Sequence, residues 1–171
     1  RRLPSVLLEW RPVDERAVLV AVPSVYSAQQ IKSDLCDFCS LRWDQVQLKT
    51  GSDTEDPVWE HWTKFSIVTY GVLWKWITCS ELSSPKGTLQ RYKGFLLDEF
   101  ASGHAKMDEI AGCLHKCITK VGALISQERL IATSAALSTD HLEMCFGSGT
   151  AVVDVLERPY SLYRYVAAPM D

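Results

Sequence analysis

The sequence of 171 residues contains no asparagine. It therefore has no acceptor for Asn-linked glycosylation and no Asn-Gly hairpin turn. It also has no apolar run of the roughly 18 residues that a membrane-spanning helix needs, because the richest stretch, residues 65–78, includes Lys75. No signal peptide is visible. These absences predict a soluble protein with no membrane partner. An intracellular location, in the cytoplasm or the nucleus, is expected from the cysteines, which are interpreted below as free thiols.

The common sequence signatures of catalysis and cofactor binding are also missing. The chain has no phosphate-loop motif and no G-x-S-x-G, G-x-G-x-x-G or D-x-D-x-D-G motif. Its four histidines show neither H-x-H nor H-E-x-x-H spacing. The sequence therefore predicts no cofactor and no catalytic residue, and it favours a protein that is not an enzyme.

The charge balance shows no strong excess of either sign. The 18 basic and 21 acidic side chains leave a net charge of −3. This value does not indicate a general nucleic-acid surface, although it leaves nucleic acid open as a partner. Hydrophobic residues make up 47% of the chain and charged residues 23%, which suits a globular core. The length predicts a single globular domain over residues 1–171.

Six cysteines leave two alternatives open, free thiols and three disulfides. A chain of this size and apolar content does not need disulfides, and a free thiol on an apolar helix face acts as a small hydrophobic group. The pairs Cys36/Cys39 and Cys113/Cys117 have spacings related to those of zinc sites. Both pairs lie inside predicted helices rather than on tight turns. We therefore expect free thiols and no bound metal.

What the chain does have is apolar periodicity, which predicts an α+β fold. The apolar runs at 5–10 and 17–22, joined by the polar RPVDER, predict an N-terminal β-hairpin. Ser24 is a suitable cap for a helix over 25–41, where apolar residues recur at three- and four-residue steps. Alternation over 43–48 predicts a short strand.

The second half of the chain predicts helices first and strands afterwards. A two-helix segment is expected over 86–102 and 106–126, where apolar residues again recur at helical spacing. The packing residues expected in it are Leu89, Tyr92, Leu96, Ile110, Leu114 and Val121. C-terminal antiparallel strands are expected to follow, because consecutive strands usually lie side by side. Their predicted ranges are 130–137, 141–146, 151–157 and 160–166.

The most distinctive segment is residues 57–79, which contains four of the six tryptophans. β-Branched and aromatic residues dominate 65–79, which favours a central Trp-rich strand there. A helix is the alternative, because the tryptophans also fit a helical stripe. Large aromatic side chains either fill a core or anchor an interface.

These observations favour a non-enzymatic binding domain, a protein–protein interaction or assembly scaffold that uses aromatic surface residues. The expected partner is another protein or a second copy of the chain. The expected partner-binding residues are Trp59, Trp62, Trp74 and Trp76. The alternative is a domain that binds single-stranded nucleic acid or a nucleotide through a Trp stacking platform.

Overall fold

A computed structural model of the protein describes residues 17–51, 63–78, 92–100, 108–112, 130–134 and 139–146. Within these ranges five strands form one parallel sheet in the order β2-β3-β1-β4-β5. The strands are β1 (Ala17–Val22), β2 (Val46–Lys49), β3 (Phe65–Thr69), β4 (Tyr92–Leu97) and β5 (Leu130–Ala132). The helices are α1 (Val25–Cys39), α2 (Tyr70–Thr78) and α3 (Thr139–Phe146). A 3₁₀ turn spans Trp43–Gln45, and residues 108–112 are helical.

The centre of the sheet is β1, whose sequence AVLVAV is buried throughout. Alternate side chains point to opposite faces of a strand, so a strand covered on both faces has an unbroken apolar sequence. Val18, Val20 and Val22 pack with Ile31 and Leu35 of α1 on one face. Leu19 and Ala21 pack on the other face, together with apolar residues of α2, α3 and 108–112. The fold is therefore α/β, with helices on both sides of a parallel sheet, and the predicted α+β class is wrong.

The predicted N-terminal β-hairpin is wrong. Both edges of β1 pair in parallel, one with β3 and the other with β4, so no antiparallel partner can lie beside it. Residues 5–10 lie outside the described residues. The helix expected next is confirmed as α1, and the Oγ atom of Ser24 accepts a hydrogen bond from the backbone N–H of Ser27 at 3.0 Å. The strand predicted over 43–48 is a 3₁₀ turn followed by β2.

The predicted central strand over 65–79 is correct only as far as Thr69, where β3 ends and α2 begins. Beyond that point Val72, Leu73 and Trp76 are buried together, which is the spacing of one helix face. The helix predicted over 86–102 is contradicted by β4. Its six described residues are all buried, so the apolar recurrence reflects burial on both sheet faces. Leu89 lies outside the described residues.

The predicted C-terminal antiparallel strands are contradicted as well. β5 pairs with β4 in parallel, and residues 139–146 form α3 instead of a strand. The ranges 151–157 and 160–166, like most of the predicted helix over 106–126, lie outside the described residues, although 108–112 are helical. None of the described helices has both the length and the apolar composition needed to cross a bilayer.

Candidate ligand site at the carboxyl edge of the sheet

The strand order reverses at the boundary between β1 and β4, although all the strands run parallel. After β1 the chain passes to β2 and β3, which lie on one side of β1, whereas β4 and β5 lie on the other side. In open parallel sheets, ligands bind in the crevice beyond the carboxyl ends of strands at such a topological switch point. The registers bring the ends of these strands to one level, with Val22 opposite Thr69 and Ala21 opposite Leu97. We call this level the carboxyl edge.

Asp98 follows β4 at the carboxyl edge and is bonded by three neighbouring segments. Its backbone N–H donates to the carbonyl of Ala21 in β1 at 2.9 Å. Its carbonyl accepts from the hydroxyl of Tyr70, the first residue of α2, at 2.9 Å. Its carboxylate Oδ1 accepts from the hydroxyl of Thr133, directly after β5, at 2.7 Å. Three separate parts of the fold therefore determine where this carboxylate lies.

The turn after β4 is also anchored to β5 through the backbone. The N–H of Thr133 donates to Leu97 at 2.8 Å, and its carbonyl accepts from the N–H of Phe100 at 3.0 Å. Phe100 is fully buried, and its ring packs edge-on against Phe146 of α3 at a centroid distance of 5.3 Å. The parallel ladder thus continues past the two strands, so that Asp98 and Glu99 lie in a turn that is hydrogen-bonded to the segment after β5.

Glu99 has an unusual backbone conformation, with φ at +49°. Residues other than glycine rarely adopt this left-handed region, and such outliers concentrate at functional sites. Glu99 is exposed, whereas Asp98 is half-buried. Among the described residues, the Oδ2 atom of Asp98 accepts no hydrogen bond. The turn therefore presents one exposed carboxylate beside a second carboxylate that has an uncommitted oxygen.

Tyr70 supplies a neutral donor to this turn. Its side chain is buried, at 2% exposure. Burial raises the pKa of the phenol well above its usual value, and the carboxylates of Asp98 and Glu99 raise it further. The hydroxyl therefore keeps its proton, and keeps donating, throughout the neutral range.

Helix α1 begins at the same edge, directly after β1. Its cap Ser24 is exposed, and the side chain of Tyr26 in its first turn is 75% exposed. The N–H groups of a first helical turn lack partners within the helix and favour anions. The carboxyl edge therefore combines a pair of carboxylates, an exposed aromatic ring and a helix N-terminus.

Of the four tryptophans that the sequence suggested as a partner surface, the structure describes Trp74 and Trp76. Trp76 is buried in α2, and Trp74 is half-buried against the same apolar cluster. Trp59 and Trp62 lie outside the described residues. The large aromatic side chains that are exposed in the described ranges are Tyr26, Phe38 and Trp43. Binding of a protein partner stays a prediction.

Three cysteines within the described ranges, Cys36, Cys39 and Cys145, carry free thiols. Burial raises the pKa of each thiol above its usual value, so these thiols are weak nucleophiles at neutral pH. The described ranges contain no group of three or more His, Cys, Asp or Glu side chains arranged to hold a metal ion.

Sequence reasoning missed Asp98, Glu99, Thr133 and Tyr70. One signal was available, because the chain reads FLLDE over residues 95–99, an apolar run that ends in two acidic residues. Residues directly after a buried parallel strand lie at the edge of the sheet where ligands bind. The signal was hidden because 86–102 also fits helical spacing, and a helix has no carboxyl edge. No sequence pattern marks the contacts of Tyr70 and Thr133.

Comparison with known proteins gives a likeness in fold. No protein-family model matches the chain, and no curated protein matches it in sequence. Among solved structures, the UvsW helicase from bacteriophage T4 is similar, with a TM-score of 0.54 and 15% identity. The likeness covers 84% of this chain and 44% of that chain, so this chain spans less than half of that helicase. At this identity the comparison supports a shared α/β fold.

Proposed function

We propose that this chain is a nucleotide-binding domain of the helicase type, whose carboxyl edge binds the divalent cation that accompanies a nucleoside triphosphate. Asp98 is the observation that carries the proposal. Its carboxylate lies at the switch point between β1 and β4, where ligands of parallel sheets bind. The likeness in fold to a helicase supports the same assignment.

The chemistry of the carboxylates fits a magnesium ion. Magnesium prefers oxygen ligands, keeps several waters, and is commonly held by one or two carboxylates together with substrate phosphates. The Oδ2 atom of Asp98, which accepts no hydrogen bond from the described residues, would be a direct ligand, and the exposed Glu99 would orient a bound water. Such a site needs no third protein carboxylate.

The phosphate groups would need donors other than a standard phosphate loop. The sequence has no G-x-x-x-x-G-K-[ST] motif, and only Pro23 and Ser24 separate β1 from α1. The cation, when bound, would neutralise part of the phosphate charge. On this proposal the described residues would supply the cation end of a nucleotide site, and the first turn of α1, at the same edge of the sheet, would offer N–H groups to the phosphates.

Titration with Mn²⁺ and ATP tests this proposal, because the electron paramagnetic resonance signal of free Mn²⁺ falls as the ion binds. Asp98→Asn keeps the size of the side chain and an Oδ1 that can accept from Thr133, but it removes the charge. We expect the substitution to weaken Mn²⁺–ATP binding at least tenfold, since even indirect partners of metal ligands contribute roughly 10- to 100-fold.

Asp44→Asn is the matched control. Asp44 is exposed, pairs with Arg42 at 3.2 Å and precedes β2, so it lies at the opposite edge of the sheet. Its substitution should leave Mn²⁺–ATP binding unchanged. Equal binding by wild type and Asp98→Asn, with both proteins folded by circular dichroism, would show that the cation does not bind at Asp98.

Binding of single-stranded nucleic acid is a second candidate, supported by the exposed Tyr26 beside the first turn of α1. An exposed aromatic ring can stack a base while N–H groups approach the phosphate. Fluorescence anisotropy of a labelled single-stranded oligonucleotide should then show binding that weakens steeply with salt. Tyr26→Ala should weaken the binding several-fold, whereas Phe38→Ala, at the other end of α1, should not.

A further inference from the structure

We propose that Tyr70 is the positioning residue that sets the direction of the Asp98–Glu99 turn, and thereby the cation affinity of the carboxyl edge. This role rests on the proposed function. Tyr70 touches no expected ligand atom, and it acts through the carbonyl of Asp98, to which its hydroxyl donates at 2.9 Å.

The reach of Tyr70 across the sheet is the first observation. Tyr70 follows β3, and β1 lies between β3 and β4 in the sheet. Its side chain therefore crosses the end of the central strand to reach the residue after β4. Tyr70 belongs to the buried cluster of that sheet face and is 2% exposed, so the hydroxyl is placed by packing rather than by a freely rotating side chain.

The peptide group that Tyr70 holds is the second observation. The carbonyl of Asp98 and the N–H of Glu99 share one peptide plane, and Glu99 is the residue with φ at +49°. Rotation of this plane would change both the left-handed conformation and the direction of the two carboxylates. The Ala21 carbonyl holds the peptide before Asp98, and Thr133 holds the side chain. The hydrogen bond from Tyr70 restrains the one remaining part of the turn, the peptide group between Asp98 and Glu99.

Tyr70→Phe tests the role, because it removes one oxygen atom and keeps the packed ring. We expect Mn²⁺–ATP affinity to fall roughly tenfold, the size of effect that outer partners of metal ligands usually have. A second readout is the backbone amide resonance of Glu99 in ¹⁵N NMR without ligand. This resonance should shift, because the Asp98 carbonyl, which shares a peptide group with the Glu99 N–H, has lost its hydrogen bond from Tyr70.

Tyr92→Phe is the matched control for a buried tyrosine hydroxyl. Tyr92 is fully buried on the same sheet face but begins β4, at the edge opposite Asp98, with its ring edge-on to Phe95. The Tyr92→Phe substitution should leave both the Mn²⁺–ATP affinity and the Glu99 amide resonance unchanged, even if it changes the free energy of unfolding. A tenfold loss in Tyr92→Phe as well would assign the effect to general destabilisation and would overturn the role.

Two outcomes separate this inference from the proposed function. A wild-type protein that binds no Mn²⁺–ATP overturns the proposed function, and the role of Tyr70 in cation binding fails with it. If Asp98→Asn weakens Mn²⁺–ATP binding but Tyr70→Phe binds as tightly as wild type, only the role of Tyr70 is overturned. A tenfold loss with the Glu99 amide shifted, in a protein whose helix content is unaltered, supports both.

Discussion

The carboxyl edge and the far end of α1 both combine charged and aromatic side chains, but their contacts have different origins. At the carboxyl edge, Tyr70 and Thr133 reach Asp98 from 28 and 35 residues away in the sequence. In the second half of α1 and the 3₁₀ turn after it, the side chains contact residues that are 4 to 11 positions away in the sequence. Ser33 donates to Asp37 four residues on, and Lys32 lies over the ring of Trp43 at 4.1 Å. We call this second region the α1 corner.

The difference shows why only one of the two regions is a candidate site. The Ser33–Asp37 bond lies within one helix, and such exposed local pairs contribute a few tenths of a kcal/mol and depend little on the rest of the fold. The Lys32–Trp43 contact joins α1 only to the 3₁₀ turn that follows it. Contacts that join three strands position a carboxylate only when the whole sheet is formed. The carboxyl edge should therefore be sensitive to substitutions that the α1 corner tolerates.

The largest contrast is expected between two phenylalanines. Phe100→Ala removes a fully buried ring that anchors the turn after β4, and it should lower the free energy of unfolding by about 3–5 kcal/mol. Phe38→Ala at the α1 corner removes a ring that is 73% exposed and should change it by less than about 0.5 kcal/mol. Urea denaturation measures both values. Similar losses would mean that Phe38 is as well packed as Phe100.

A second contrast compares two threonine hydroxyls. Thr133→Val leaves the Oδ1 atom of Asp98 without its donor, and it should cost about 1–2 kcal/mol because the lost bond is to a carboxylate. Thr78→Val is the control, since Thr78 donates to the carbonyl of Trp74 within α2 and is exposed. It should stay within about 0.5 kcal/mol of wild type. Equal effects would argue against a specific bond between Thr133 and Asp98.

The pH dependence of Tyr70→Phe gives a third test. At pH 8 the variant should be less stable by about 1 kcal/mol, the net value of one hydrogen bond. The pKa of Tyr70 is raised on folding, so the folded state keeps its proton at a pH where the unfolded state loses it. This contribution to stability is complete below about pH 10 and declines above it.

The difference in free energy of unfolding between wild type and Tyr70→Phe should therefore narrow by roughly 1 kcal/mol near pH 11, because only wild type carries this phenol. Urea midpoints across that range measure the gap. Circular dichroism should confirm at each pH that both proteins begin folded. A gap that stays constant, or widens, would mean that the phenol of Tyr70 is not protected by folding.

The smallest effect is expected at the α1 corner. A double-mutant cycle with Lys32→Met and Trp43→Ala should give a coupling of about 0.5–1 kcal/mol, the usual strength of a cation–π contact near a surface. Neither substitution should alter Mn²⁺–ATP binding. A coupling above about 2 kcal/mol would show that this corner is more tightly packed than the 63% exposure of Trp43 indicates.

Sequence reasoning succeeded where local chemistry decides the structure. The helix that begins after Ser24 was predicted correctly, because a cap and a helical apolar face are both encoded within one segment. It failed at β4 and α3, where a helix was expected for a strand and a strand for a helix. At β4 the reason is that a short apolar run buried on both faces carries no period that distinguishes a strand from a helix. At α3 only eight residues form the helix, which is too short for the pattern to decide.

The sequence by itself determined a globular core, the helix α1 with its cap, and apolar segments long enough for strands. The tertiary structure decided that the strands are parallel and that β1 lies between β3 and β4. It also decided that Tyr70, Asp98 and Thr133 meet at the carboxyl edge. The reason is physical: a cap and a helix face depend on residues within a few positions of one another. Strand order and cross-strand bonds depend on which distant segments together bury the most apolar surface.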